Sequence, residues 1–256
     1  MQNLDKNIEE MFEEFKRSLD KYMHLLYGGK IDRQRALTIE KTELMLSELF
    51  FREGLCTPDD SLNENLRRLI ENDLKISLIK SALDNLRNID DSIKLDFDFE
   101  KALERFLSGE LETPEAKVVA IIVQSLARCI AHHRLVRGVE DRLSPYCPVC
   151  GAESRTMVVR QDGYHMVCPF CGYEWRISRS MPRCPWCGND NPISIGVFTN
   201  KQRRIGLMVC QECGNTWRAI LDRSIKAPNI LLPLISLGAE RFRTFVRRDM
   251  TSRTGD

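Results

Sequence analysis

The 256-residue chain contains no run of about 18 uncharged apolar residues, and its opening Met1-Gln2-Asn3-Leu4-Asp5-Lys6 lacks the basic-then-apolar order of a secretory signal. No transmembrane segment is expected, and the expected location is cytoplasmic. Also missing are a phosphate-binding glycine loop, a Gly-x-Ser-x-Gly elbow and a His-Glu-x-x-His helix. Histidine is scarce, and none of His24, His132, His133 and His165 has a partner at a spacing that suggests ligation or catalysis. An enzyme is therefore not expected.

Cysteine, by contrast, is abundant. Eight of the ten fall in four Cys-x-x-Cys pairs, each followed by glycine: Cys147/Cys150, Cys168/Cys171, Cys184/Cys187 and Cys210/Cys213. In a chain without a secretory signal that pattern favours metal ligation over disulfides. Two thiolates two residues apart can face one ion, and the glycine supplies the positive-φ step that closes the turn. Cys56 and Cys129 are left over, each in an apolar helical context, and are expected to be buried thiols acting as small hydrophobes.

The cysteine region is an internal repeat. Met166-Val167-Cys168-Pro169-Phe170-Cys171-Gly172-Tyr173-Glu174-Trp175-Arg176 matches Met208-Val209-Cys210-Gln211-Glu212-Cys213-Gly214-Asn215-Thr216-Trp217-Arg218, and Cys147-Pro148-Val149-Cys150-Gly151 matches Cys184-Pro185-Trp186-Cys187-Gly188. The repeat argues for ligand sets within each copy: Cys147, Cys150, Cys168 and Cys171 for one ion, and Cys184, Cys187, Cys210 and Cys213 for the other. Two tetrahedral four-cysteine ions, zinc or iron, are the expected cofactors, because sulfur sites of this kind suit both metals. With four protein ligands neither site keeps an open position for substrate or water, so structural roles are expected. Trp175 and Trp217 are expected to cover the metal sites as core, with base stacking as the alternative.

The rest of the chain reads as helix. Apolar residues at three- and four-residue spacing form a stripe from Leu4 to Leu26 that ends at Gly28-Gly29, and a second helix from about 32 to 52. Ser61 and Glu64 form a capping box before a stretch to about 87, one helix or two, and an acidic turn follows at Asp90-Asp91. A short helix is expected over about 99–107. Thr113-Pro114 then starts a helix to about Val136 that is apolar around most of its circumference, as befits the central helix of a bundle. His132 and His133 near its end are expected close to solvent. Short β-like runs appear at 156–160, 164–167, 175–178, 193–198 and 205–209. After Pro228 a last amphipathic helix is expected, then a loose tail from Thr251 to Asp256.

The fold class expected is thus α+β: an N-terminal all-α helical bundle (1–140), two tandem rubredoxin-like or zinc-ribbon modules (141–182 and 183–226), and a C-terminal helix and tail (227–256). Charge divides along the same line. Residues 141–256 carry 17 Lys plus Arg against 10 Asp plus Glu, whereas the first 140 carry 21 against 27. Each four-thiolate centre with a divalent ion has a net charge of about −2, which leaves the metal half only mildly basic. Its Arg176, Arg179, Arg183, Lys201, Arg203 and Arg204 are either a solvated face or a docking face for an acidic partner.

The string from Tyr146 to Trp217, with Tyr146-Cys147-Pro148-Val149-Cys150-Gly151, Tyr164-His165-Met166-Val167-Cys168-Pro169-Phe170-Cys171-Gly172-Tyr173-Glu174-Trp175 and Arg183-Cys184-Pro185-Trp186-Cys187-Gly188, resembles the formate dehydrogenase accessory protein (FdhE) family. The resemblance implies a helical domain ahead of two rubredoxin-like modules. It also implies an accessory or assembly function, with the catalytic subunit of a molybdenum- or tungsten-containing formate dehydrogenase bound through the cysteine modules and the surface around Arg176 to Arg183 as the docking face. The alternatives are a zinc-ribbon protein that binds nucleic acid and a two-iron electron carrier.

Overall fold

The structure, a computed structural model, describes residues 8–25, 32–71, 73–84, 97–199, 202 and 204–244. The Gly28-Gly29 helix end, the Asp90-Asp91 turn, Lys201, Arg203 and the tail from Thr251 lie outside them. Two compact units result: residues 1–16 with 31–136, and residues 17–30 with 137–256. The fold class is the expected α+β, helices followed by a β-rich half, but residues 17–30, expected in the helical bundle, group with the second unit.

Seven helices are present among the described residues. α1 (Ile8–Tyr22) starts in the first unit and ends in the second, and buries Phe15, Leu19 and Tyr22 at helical spacing. α2 (Arg33–Arg52) is capped by Asp32, whose carboxylate accepts from the Arg35 amide at 3.0 Å. α3 (Leu62–Ile70) opens with the capping box foreseen: the Glu64 amide donates to the Ser61 hydroxyl, and the Ser61 amide to the Glu64 carboxylate. α4 (Asp73–Leu83) is separate, so the stretch after Ser61 is two helices. α5 (Phe99–Leu107) is capped by Asp98.

α6 (Pro114–Arg137) is the centre of the first unit, with Val118, Val119, Leu126, Ala127 and Ile130 fully shielded from water. By length and composition it could cross a membrane, but these apolar residues are the core of the helical unit. On its buried side the half-buried Arg128 donates to both Glu40 oxygens at 2.7 and 2.8 Å and to Glu43 as well. One guanidinium thus faces two carboxylates. Burial pushes the Glu43 carboxyl up to about 7 against the pull of Arg128, and the Glu40 charge adds to the rise.

In the second unit six strands form one sheet: β1 (Thr156–Arg160), β2 (Gly163–Val167), β3 (Glu174–Ser178), β4 (Ile195–Thr199), β5 (Ile205–Cys210) and β6 (Thr216–Ile220), in the order β3-β2-β1-β6-β5-β4. Each repeat is an antiparallel meander, and the two join head to tail where β1 pairs in parallel with β6, Thr156 opposite Arg218. The outer edge of β3 is covered: the Arg176 amide donates to the Glu140 carbonyl, and the Arg142 amide to the Arg176 carbonyl.

The closing segment differs from the single helix expected. A 3-10 turn at Asn229–Leu231, α7 (Leu232–Ser236) and a 3-10 turn at Leu237–Phe242 follow one another. Pro233 removes an amide donor, and Gly238 sits so close to the body that an added Cβ would lie 2.6 Å from the Leu25 carbonyl oxygen. Leu231, Leu232, Ile235 and Ala239 are nevertheless buried, and the Ser236 hydroxyl meets that of Thr156 at 3.1 Å.

Candidate metal centres

All four Cys-x-x-Cys segments adopt one turn. In each, the glycine amide donates back to the carbonyl of the first cysteine (Gly151 to Cys147, Gly172 to Cys168, Gly188 to Cys184, Gly214 to Cys210) at 2.8–3.1 Å. The first cysteine's own amide is taken by the residue after the glycine, as from Cys147 to Ala152 and from Cys168 to Tyr173. The four glycines have φ between +72° and +77°, the left-handed region where a Cβ is penalised. Amides also approach the sulfurs, Val149 to Cys147 at 3.4 Å and Phe170 to Cys168 at 3.3 Å, and would stabilise negative charge there.

These turns bring the eight cysteines together in the two sets the repeat suggested, with the sulfurs of each set within 4.8 Å of one another. In the first set, Cys147 and Cys171 are 3.6 Å apart, Cys150 and Cys168 3.5 Å, and Cys150 and Cys171 3.8 Å. In the second, Cys184 and Cys213 are 3.5 Å apart and Cys187 and Cys210 3.7 Å. A tetrahedral ion with metal–sulfur bonds of about 2.3 Å requires sulfur–sulfur edges of about 3.8 Å, so each donor set can hold one such ion. Electrostatics agree: hydrogen bonds from its three partner thiols hold Cys147 far below the usual thiol range, while the same crowding pushes Cys168 up, and burial with crowding pushes Cys171 up. Four thiols this close need a cation before all can ionise.

The two centres are unequally enclosed. Cys147, Cys168 and Cys171 are buried and Cys150 is half-buried, whereas in the second set Cys187 and Cys213 are exposed. Burial pushes the Cys213 thiol up, but hydrogen bonds from the Asn215 backbone and side chain bring it down to about 7. Trp175 and Trp217 are both buried core of the sheet. Their environments differ: the Trp175 indole donates to the Ser144 carbonyl at 2.9 Å, while the Trp217 indole nitrogen has no hydrogen-bond partner among the described residues.

Tertiary contacts add to several of these readings and correct one. His165, which has no telling spacing in sequence, is buried between Glu174 (2.9 Å) and Asp162 (3.1 Å), and Glu174 also accepts two hydrogen bonds from Arg160. Burial pushes the Glu174 carboxyl up, yet the adjacent His165 ring and the hydrogen bonds from Arg160 outweigh it and hold the group at about 2. Strand pairing between β2 and β3 makes this contact, which explains its invisibility in the sequence. Among the described residues of the expected basic face, Arg176 pairs with Asp141 and Asp162, Arg179 with Asp141, and Arg204 with Asp222. Cys56 and Cys129 are not separate thiols but a disulfide across 73 residues of sequence, between the loop after α2 and α6. No motif spacing could have announced it.

Comparison with known proteins finds no family model that matches the chain and no match among curated proteins. Among solved structures, the crystal structure of the FdhE protein from Pseudomonas aeruginosa is similar, with 16% identity and a TM-score of 0.52 over 95% of this chain and 92% of that one. The chain therefore has an FdhE-like fold, bearing two four-cysteine clusters that can hold metal ions.

Proposed function

We propose that this chain is a non-catalytic, metal-binding assembly protein that binds the catalytic subunit of a formate dehydrogenase, a molybdenum or tungsten enzyme, during its maturation. Cys147, Cys150, Cys168 and Cys171 ligate one ion, and Cys184, Cys187, Cys210 and Cys213 the other. The observation that carries this reading is the pair of closed four-sulfur clusters within a fold that matches FdhE over nearly its full length. Four-sulfur coordination leaves the ions no position for substrate, so they shape and stabilise a docking surface.

Docking is assigned to the second module. Its cysteines Cys187 and Cys213 reach the surface, and Ile193, in the stretch between the first of its turns and β4, is 86% exposed. Nucleic acid is disfavoured as the partner, because both repeat tryptophans are buried and Arg176 and Arg179 are engaged by carboxylates.

Anaerobic affinity capture of the tagged protein from its native extract, followed by mass spectrometry and a nucleic-acid assay, tests the reading. Recovery of a molybdopterin or tungstopterin oxidoreductase subunit is expected, with Ile193→Asp weakening the capture at unchanged metal content. Recovery of RNA, DNA or transcription components in its place would overturn it.

A further inference from the structure

Outside the four-cysteine clusters, the helical unit assembles a third group of metal-ligating side chains. Cys56 and Cys129 are joined with their Cα atoms 6.1 Å apart, and a ring nitrogen of His133 lies within 4.8 Å of both sulfurs. Local structure explains the meeting. Cys129 and His133 are four residues apart on α6 and so share one face of that helix. Cys56 is delivered by the end of α2, where the Leu55 and Cys56 amides both donate to the Phe50 carbonyl, at 2.8 and 3.2 Å. The His133 ring stacks on Phe51 with centroids 4.3 Å apart, which sets its plane.

We propose that reduction of the Cys56–Cys129 disulfide turns Cys56, Cys129 and His133 into a third metal site, which takes one thiophilic divalent ion such as zinc. A small dithiol supplies two electrons and two protons to the S–S bond, which breaks to give two thiols, and the dithiol closes to its own disulfide. The entering ion displaces the two thiol protons to solvent and binds two thiolates and a neutral imidazole.

The charge of this cluster suits its surroundings. Two thiolates cancel a divalent ion, and Cys56 and Cys129 are buried, as are their chain neighbours Leu55, Leu126 and Ile130. A four-thiolate centre would bring a net charge of about −2 into the same apolar core, at a heavy desolvation cost. The backbone serves both states. Its Cα separation lies in the range of disulfides, and two sulfurs on one zinc ion stand about 3.8 Å apart, so opening requires side-chain rotation only. Three protein donors leave a fourth position open to an incoming ligand, which neither four-sulfur centre has. Exchange with the disulfide form of that dithiol, which takes up the two electrons and two protons from solvent, re-forms the Cys56–Cys129 bond and releases the ion, so metal occupancy of the helical unit follows thiol redox state.

The test is zinc stoichiometry of the full chain by anaerobic equilibrium dialysis against micromolar free zinc, before and after treatment with a small dithiol. Two ions per chain are expected when oxidised and three when reduced, with two in both states for Cys56→Ser and for His133→Asn. In the reduced parent, free zinc is expected to slow alkylation of Cys56 and Cys129, a reading that needs no variant to fold. Two ions per chain in both states of the parent, a third ion that survives in both variants, or alkylation indifferent to zinc would overturn the proposal.

Discussion

The two repeat tryptophans provide an internally controlled perturbation, because the same substitution at equivalent positions meets different hydrogen bonding. Trp175→Phe and Trp217→Phe remove the same atoms from side chains that are 0% and 1% exposed. Each loses packing and leaves a small cavity, costing about 1–2 kcal/mol. In Trp175→Phe the Ser144 carbonyl, half-buried, also loses its donor, which adds about 1 kcal/mol. In Trp217→Phe the deleted indole N–H is a buried donor with no partner among the described residues, so its removal returns about 1 kcal/mol or more of desolvation cost. Trp175→Phe should therefore be the more destabilising by about 2 kcal/mol. Anaerobic urea titration of the metal-loaded protein, followed by circular dichroism, measures both variants on one sheet, with metal analysis to show that both centres stay filled. Equal losses, or a greater loss for Trp217→Phe, would refute the reasoning.

Chelation should separate the two four-cysteine centres in the oxidised protein: one ion leaves quickly, from the second set with its exposed Cys187 and Cys213, and one slowly, as a metallochromic dye would record in two equal phases. Cys187→Ser should abolish the fast phase alone, and Cys150→Ser the slow one. Glu174, held at about 2 against an ordinary 4.5, contributes stability that is present above pH 4.5 and lost as pH falls through about 2; Glu174→Gln should cost about 3 kcal/mol in urea melts at pH 7. Glu43, raised to about 7, has the opposite sign: its contribution is present below pH 4.5 and lost as pH rises through about 7. Relative to Glu43→Gln, the parent's urea midpoint should thus fall between pH 5 and 7.5, and parallel curves would contradict the assignment.

Local signals in the chain carried far. The Ser61-Glu64 box, the Thr113-Pro114 start and the Gly-terminated cysteine turns depend on contacts over three or four residues, and each appears where the chain spells it. The grouping of the eight cysteines was legible for a related reason: a repeated meander brings its own two turns together without help from distant segments. Segments whose outcome depended on tertiary contact were not legible. The closing segment divides into short turns, and the body approaches Gly238 too closely for a side chain.

By itself, then, the sequence determined the helical and metal-binding halves, the four turns and their two donor sets, since propensity, capping and turn chemistry act over a few bonds. Only the tertiary structure decided that the two modules share one sheet through β1 and β6, that His165 is buried between Asp162 and Glu174, that carboxylates neutralise Arg176 and Arg179, and that Cys56 meets Cys129 beside His133. Those pairings join residues from 3 to 73 positions apart, and the partner in each is chosen by strand register and helix packing rather than by any local pattern.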